Sequence, residues 1–550
     1  MTFIKRHFLS FFLLLLLYQC SSPPSNLSQN QKVEFIKKGK NLLTEVRGQE
    51  WHEEGNYLKG AGKHNILHAG KYIEDADFEL SARLSLDTIG ATTALLWFFD
   101  NHFGFDSNHA LEQNKRRLFL YSPVLDSVLL FGKSEDYFTP GKPFDFRLRR
   151  ADDSLSFSID QREIVRLPKH YFKQPLRGVV GWRPWRNTMK IEDFSIRGHL
   201  TDFPKANYIF GNGEQGYKCF RIPTIIRCPS GTLLAFAEGR QTTCQDNGNT
   251  DIVLKRSTDE GKHWGPLELV QADGANTCGY PTPVIDQKTG KLMMVFVGSH
   301  GSDHHTAIYQ QKSIDTRRIY LTYSEDEGKT WSKRKEMTNQ VKKSHWTYYG
   351  LGYTSALQLR HPPFTDRILI AAYHGEAGTD SNYVHLIYSD DFGQNWQIGA
   401  DLHQGGINET ELLELDDGRI YLTIRNDFPQ LDFRQKAISN DGGLSIEQRS
   451  FDEALNGPMC QASLLGRKTE DGRFEVFFAN PDSKNSREFL SLRSSDDRGT
   501  QWQTIKLIHR GYAAYSDLIE LSNGQLACIF ECGKTWPYEG IAFKTIQLKD

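Results

Sequence analysis

FRIPTIIRCPSGTLLAFAEGRQTTCQDNGNTDIVLKRSTDEGKHW, residues 220–264, is the stretch whose reading decides the architecture. It closes on Ser257-Thr-Asp259-Glu-Gly261-Lys-His-Trp264. The pattern S-x-D-x-G-x-x-W returns at Ser324/Asp326/Gly328/Trp331, Ser389/Asp391/Gly393/Trp396 and Ser495/Asp497/Gly499/Trp502. A fifth copy, Ser439/Asp441/Gly443, carries Ile446 where the others have Trp. The spacing has a physical cause: Asp and Ser side chains accept backbone N–H groups across a tight hairpin, Gly takes the positive φ, and the Trp three residues on fills the gap between strands. Ser257, Ser324, Ser389, Ser439 and Ser495 lie 67, 65, 50 and 56 residues apart, each interval long enough for a four-stranded antiparallel sheet. Between the turns run strand pairs such as Arg367–Tyr373 and Val384–Tyr388. A repeat of this kind predicts a β-propeller over residues 205–550, and about 345 residues at roughly 57 per unit make six blades.

Upstream, residues 31–200 read as short strands with no helical period. Asp77–Leu86 and Ser154–Ile159 alternate apolar and polar side chains, and Asp160-Gln161 is a turn leading into Glu163-Ile-Val-Arg166. The expectation is an all-β chain, a β-sandwich of jelly-roll type followed by the propeller. The sandwich resembles the laminin-G and concanavalin type in pattern, which makes it a candidate carbohydrate-binding module. Gly181-Trp-Arg-Pro-Trp185 offers either an aromatic platform for a sugar ring or, as large aromatics more often do, core packing.

The 550 residues carry 66 basic and 68 acidic side chains, a formal charge of −2, so no global field recruits nucleic acid or an anionic membrane and any anion recognition must be local. Lys5, Arg6 and His7 precede the apolar run Phe8–Leu17, too short to span a bilayer comfortably, and then Cys20-Ser-Ser-Pro-Pro24. This start resembles a bacterial lipoprotein signal: residues 1–19 are a signal peptide, Cys20 is the lipidation site, and 20–30 are a flexible tether. The expected location is the bacterial envelope, lipid-anchored to the outer membrane on its periplasmic or surface side, with secretion as the alternative. Eight cysteines stand at 20, 219, 228, 244, 278, 460, 528 and 532. Setting Cys20 aside leaves seven, so they cannot all pair within one chain; most read as small buried residues, with one or two disulfides left open.

Phe220-Arg-Ile-Pro223 followed by several such turns resembles the retaining exo-sialidases, or neuraminidases, of bacteria and animals, and the likeness covers about 207–550. Six blades is also that family's number. The chemistry such an enzyme needs can be stated from the substrate. A sialoside carries a carboxylate on its anomeric carbon, so the site must hold a permanent anion beside a carbon that becomes cationic. Guanidinium forks meet carboxylates in bidentate geometry and stay charged. The resemblance implies three converging arginines, and the matching positions are Arg221, Arg425 in Leu422-Thr-Ile-Arg425, and Arg487, with Arg493 and Arg498 as nearby competitors. A carboxylate nucleophile would be repelled by the substrate's own carboxylate, so a neutral phenol is the better attacker, which makes sialidases exceptions to the two-carboxylate rule. Tyr515 matches the family's nucleophile because Ser516-Asp517-Leu518 follows it, with Tyr512 as decoy. Glu409 matches the partner base, with Glu411 as competitor, and Asp246 matches the general acid, with Asp251 as runner-up. Arg240 and Glu238 orient the substrate and Arg221, and Glu531 is a second partner for Arg221.

The implied function is hydrolysis of terminal sialic acids from glycoproteins, glycolipids and oligosaccharides by double displacement, in a monomer that needs no cofactor or metal. The alternatives are a hydrolase or transglycosidase for a related keto-acid sugar such as Kdn or Kdo, and a non-catalytic glycan-binding propeller. Loops near Ser344–Gly350 and Cys460–Ser463 would build the rest of the pocket. Gly211-Asn-Gly-Glu-Gln-Gly216 matches a dinucleotide fingerprint by pattern, but Tyr217-Lys-Cys-Phe-Arg-Ile-Pro223 is no helix, and His304-His305 reads as loop.

Overall fold

The computed structural model describes residues 31–47, 51–62, 66–88, 93–98, 101–106, 117–122, 127–133, 136–151, 153–168, 178–184, 187–202, 206–428, 433–469, 471–483, 486–534 and 536–548. The signal-like segment, Cys20 and Trp185 lie outside them. The chain divides into two compact units with the boundary after Asp202.

The first unit is two antiparallel sheets. A nine-stranded sheet is built around Tyr72–Leu86, Thr188–Thr201 and Phe144–Ala151, and a seven-stranded sheet around Thr93–Phe98, Val180–Trp182 and Ile66–Ala69. Alternation decides which face is buried: in Phe144-Asp-Phe-Arg-Leu-Arg149 every second side chain points into the core. Leu80, Phe146, Phe157 and Phe194 of one sheet meet Leu67, Leu96, Leu118 and Trp182 of the other in one cluster, which is the sandwich the strand pattern predicts. Trp182 is fully buried, edge-on to Phe146 at 5.7 Å and Phe194 at 5.3 Å, so it is core and offers no platform to a sugar. Asp160 and Gln161 have φ of 48° and 66°, the left-handed pair of a tight hairpin.

The second unit is a propeller of antiparallel four-stranded sets. They run Cys219–Arg227, Leu233–Arg240, Thr250–Ser257, Glu268–Gln271; then Thr277–Ile285, Leu292–Ser299, Arg318–Ser324, Lys335–Glu336; then Trp346–Leu351, Ile368–Glu376, Asn382–Ser389, Gln397–Asp401, with Leu357–Gln358 beside its second strand; then Ile407–Glu414, Ile420–Asn426, Phe433–Ser439, Gln448–Asn456. Ser463–Lys468, Phe474–Pro481 and Glu488–Ser495 take the first half of the long strand Gln503–Glu520 as their fourth member. Its second half pairs with Leu526–Gly533, then Gly540–Ile546, then Tyr208–Gly211, so the unit's opening strand completes its last set.

The five repeated turns join the third and fourth strands of their sets, away from the first strands. Gly261, Gly328, Gly393, Gly443 and Gly499 have φ between 80° and 89°, as the pattern requires. Each glycine donates its N–H to the Ser Oγ of its turn at 2.7–3.0 Å, and each Asp Oδ1 accepts the N–H four residues on at 2.8–2.9 Å. The Trp works differently from the expectation. Trp264 packs edge-on to Phe543 of the last set (5.3 Å) and Trp331 to Phe236 of the first (6.2 Å), so these two rings fill the gap between sheets rather than between strands of one sheet, while Trp502 meets Phe478 of its own set (5.6 Å) and donates to Asp452 of the preceding one (3.3 Å).

Five of the first strands share one device. The register slips between Arg221 and Thr224, Gly279 and Thr282, Trp346 and Tyr349, Ile407 and Thr410, and Ala513 and Ser516. A bulge re-aims the side chains within it. Those within these include Ile222, Tyr280, Tyr348, Glu409 and Tyr515, and Arg221 borders the first. Ile222 has a φ of 56°, which costs a β-branched residue about 1–3 kcal/mol and is met mostly at functional sites.

Candidate active site

The bulged first strands open on a cleft of about 460 Å³, within the ordinary range for a small-molecule site. Its lining includes Arg221, Asp246, Glu409, Arg425, Arg487 and Tyr515, six positions taken from the sequence. A larger depression of about 820 Å³ lies on the nine-stranded sheet of the first unit, between residues such as Arg83, Asp145, Arg147 and Asp193. Size alone does not locate the chemistry. Among the described residues, no hydroxyl of that depression is seen bonded to a carboxylate as Tyr515 is to Glu409.

Tyr515 is the centre. Its hydroxyl donates to Glu409 Oε1, and Arg425 Nη1 donates to the same hydroxyl at 3.3 Å while standing 2.8 Å from Glu409 Oε2. The guanidinium carbons of Arg221 and Arg487 each lie 5.3 Å from the centre of the Tyr515 ring. Three arginines far apart along the chain therefore surround one phenol. Burial pushes the Tyr515 hydroxyl well above the usual tyrosine range, and Glu409 adds to this against the pull of Arg425 and Arg487. The phenol is neutral until its proton has somewhere to go, and Glu409 is the acceptor in contact.

Glu531 underlies this arrangement. It is fully buried and accepts Arg221 Nε at 2.6 Å, Ile222 N at 2.8 Å and Tyr515 N at 3.2 Å, fixing the first arginine and the phenol's backbone together. Glu238 bonds elsewhere. Its Oε2 accepts Arg240 Nε at 3.0 Å and Nη2 at 2.6 Å, and its Oε1 accepts Tyr280 N at 2.9 Å. The expectation that Glu238 orients Arg221 gives way to a narrower role. It holds Arg240.

Asp246 sits in the irregular segment after Arg240, 2.9 Å from Arg240 Nη1, with 67% of its side chain open to solvent. The surrounding protein pushes its carboxyl up, but Arg240 and then Arg221 outweigh this and hold it at about 2. It is a carboxylate at neutral pH. The competitors resolve by position: Asp251 is tied to Tyr217 and Gln241, Glu411 to Thr354, Arg493 to Asn480 and Asp482, and Arg498 to Asp416.

Several lining residues were not anticipated. Tyr538 accepts Arg487 Nη1 at 2.6 Å, and its ring lies 3.9 Å below the Arg221 guanidinium. Tyr348 and Tyr373 share hydrogen bonds with Tyr280, on which the buried Arg317 also donates at 2.8 Å. Asn408 and Asp427 bond each other at 2.7 Å at the polar end of the cleft, with Asp380 and Asn382. Ser344–Gly350 proves to be mostly a buried first strand that contributes Tyr348. Cys460–Ser463 buttresses instead: Gln461 brackets Ser516 with two 3.0 Å bonds and Ser463 Oγ reaches Asp517. His304 caps a short helix, His305–Tyr309, where a loop was expected, and His305 lines the cleft.

The sequence profile described as BNR repeat-like domain matches residues 231–528, more than half of the chain. The chain belongs to that family. This BNR-repeat protein is 30% identical over 334 residues to a sialidase of Micromonospora viridifaciens (58% of this chain, 51% of that protein) and 27% identical over 358 residues to one of Bacteroides fragilis (62% and 64%). It thus spans about half of the first relative's length and under two thirds of the second's. An exo-alpha-sialidase of Aspergillus fumigatus is 28% identical over 344 residues (58% and 79%). Among solved structures, the Hadza microbial sialidase Hz136 superposes with a TM-score of 0.55 at 18% identity, covering 90% of this chain and 96% of that one. A leech intramolecular trans-sialidase superposes at 0.54 with 14% identity, covering 89% and 98%. These superpositions establish that the BNR-repeat protein shares their fold.

Proposed function

We propose that this protein is an exo-α-sialidase that hydrolyses terminal sialic acids from glycoconjugates through a tyrosyl intermediate, with retention, on a six-bladed propeller. The observation that carries the reading is the convergence of Arg221, Arg425 and Arg487 on Tyr515, with the phenol bonded to Glu409. A sugar acid whose carboxylate lies among the three guanidiniums has its anomeric carbon over the phenol oxygen. Glu409 takes the phenolic proton as Tyr515 attacks C2, and Asp246 gives a proton to the departing glycosidic oxygen. Asp246 then takes a proton from water as water attacks C2, and Tyr515 leaves and recovers its proton from Glu409.

The carboxyl of Asp246 explains why protonation awaits substrate. Two arginines hold it ionised in the free enzyme. A substrate carboxylate answering Arg221 replaces part of that positive field with negative charge, and closure over the sugar removes water; both changes raise the carboxyl toward donor strength. The protein acts as a monomer on glycans, anchored to a bacterial envelope through Cys20; the sequence around that cysteine is the support for this.

Fluorogenic glycosides of N-acetylneuraminic acid, Kdn and Kdo, with the anomer of the released acid followed by NMR, test the reading. The expected result is release of N-acetylneuraminic acid first as the α-anomer, with loss of at least about 10³-fold in Tyr515→Phe. A wild-type rate in that variant, or β-anomer first, would overturn the tyrosyl mechanism, and release of none of the three acids would overturn the enzyme.

A further inference from the structure

Asp246 is the most exposed of the proposed catalytic groups and the only one not carried on a strand. It lies in the segment 241–249 between Leu233–Arg240 and Thr250–Ser257, which has few backbone hydrogen bonds of its own. Its C-terminal side is tied to the neighbouring set: Thr277 Oγ1 donates to Gly248 O at 2.8 Å, and Asn247 Nδ2 to Gly301 O at 3.4 Å. On its N-terminal side Cys244, two residues away, is joined to Cys219 by a disulfide, and its carbonyl accepts Arg240 Nη1 at 2.6 Å.

That nitrogen is fully used, each of its two N–H groups having one acceptor. Arg240 Nη1 serves both the Cys244 carbonyl and the Asp246 carboxylate, and that carboxylate lines the cleft where an anionic substrate arrives. Arg240 is itself buried, and an anion settling beside Asp246 repels that carboxylate, which weakens its contact with Arg240. The disulfide does not depend on Arg240's charge or orientation. Cys219 begins the strand that carries Arg221 two residues later, so a covalent bridge of 5.3 Å between Cα atoms links the backbone of the first substrate arginine to the backbone of the proton donor.

From this geometry we infer that Cys219 and Cys244 are positioning residues for proton donation: the disulfide sets the distance between Asp246 and the anomeric centre independently of Arg240. The inference rests on the proposed role of Asp246. A displacement of about 1 Å at a reacting group costs on the order of 10²-fold, and the cost falls on the step that needs the proton. Natural glycans have poor leaving groups and need it. Aryl sialosides with acidic phenols do not.

The test compares kcat/KM on sialyllactose and on an aryl sialoside for the wild type, Cys219→Ser/Cys244→Ser and Asp246→Asn. The double variant is expected to lose roughly 30-fold to 100-fold on sialyllactose and less than about 3-fold on the aryl sialoside, in the same direction as Asp246→Asn. Cys244 is partly exposed, so dithiothreitol can open the bridge in the folded wild type. It delivers two electrons and two protons to the S–S bond, leaving two thiols and closing to its own cyclic disulfide. Reduction should reproduce the split, and reoxidation should restore the glycan rate, which covers the case of a double variant that does not fold. Thiol mapping of the denatured protein records whether the bridge is present and then open. Equal losses on both substrates would make the disulfide an ordinary stabiliser and overturn the inference. So would unchanged rates with the bridge open, or free thiols at 219 and 244 in the oxidised protein. If Asp246→Asn itself loses both substrates equally, the acid assignment falls first and the inference with it.

Discussion

Replacing Glu531 by Gln changes one charge at the most connected point of the site. The side chain keeps its shape and stays buried, so the consequence follows from its three bonds. Arg221 Nε and Ile222 N both donate to Oε1, and Tyr515 N donates to Oε2. A glutamine can present its oxygen to the first two donors, leaving its NH₂ facing the Tyr515 N–H, or reverse and oppose two donors instead of one. The first arrangement is the better. It exchanges a charge-assisted bond for a neutral one, a loss of about 1–1.5 kcal/mol, and strands one buried N–H, a further loss of about 1–3 kcal/mol. The sum is about 2–4.5 kcal/mol, which in a unit spanning 203–550 corresponds to roughly 3–6 °C in melting temperature. The kinetic signature is more specific. Arg221 loses the anion that aligns its fork, so KM for a sialoside should rise at least about tenfold, or about 1.4 kcal/mol of binding. Glu531→Ala should be worse, at about 3–5 kcal/mol, because it leaves the buried guanidinium uncompensated. Differential scanning fluorimetry with Michaelis kinetics on an aryl sialoside reads both effects. A Gln variant within about 0.5 kcal/mol and about twofold in KM of wild type would show that Glu531 is not what holds Arg221 and Tyr515 together.

Asp517, two residues after Tyr515, is pushed by burial up to about 7 although Ile225 N, Thr224 and Ser463 donate to it. The folded state therefore keeps a proton that the unfolded chain releases above about pH 4, and stability falls as pH rises from there to about 7, by up to roughly 1.4 kcal/mol per pH unit. Asp517→Asn should flatten that decline in urea unfolding; parallel wild-type and variant profiles would refute it. Gly499 has a φ of 81°, and a Cβ there would come within 2.8 Å of the Tyr421 ring in the preceding set. Gly499→Ala should cost about 1–3 kcal/mol with kinetics on the aryl sialoside unchanged, and an unaffected melting temperature would contradict the left-handed assignment.

What was readable in the sequence was what is local. Each repeated turn completes its hydrogen bonds within eight residues, so Ser257–Trp264 and its copies announce themselves without reference to the rest of the chain. Arg221 and Tyr515 were legible because short motifs pin them: Ser516 and Asp517 beside the tyrosine are themselves bonded to Gln461, Thr224 and Ser463. The misses are one facing within a set and several contacts between sets. Glu238 lies two residues from Arg240 and 17 from Arg221 in a hairpin, and only the strand's facing decides which it meets. Tyr538, Asn408, Asp427 and the Tyr280–Arg317 group come from strand ends that meet only when the sets are assembled. One signal was available. Arg221-Ile-Pro-Thr224 and Gly279-Tyr-Pro-Thr282 both place a left-handed residue before Pro-Thr inside a bulge, so the second motif marked a second inward-aimed side chain. The Cys219–Cys244 pairing was equally open to a reading of hairpin register, since Cys219 lies opposite Arg240, four residues before Cys244.

The strand Tyr208–Gly211 finds its partner more than 320 positions later, at Gly540–Ile546. During synthesis, then, the ring stays open until that last partner has left the ribosome, and the phenol and the glutamate beneath it, at 515 and 531, belong to the set that closes it. Long-range closure of this kind is slow relative to local hairpins. A chain interrupted shortly before residue 540 holds most of its sheets but has an unpaired first edge, so on the proposed reading competence to turn over substrate arrives in a single step with that last strand rather than accumulating blade by blade.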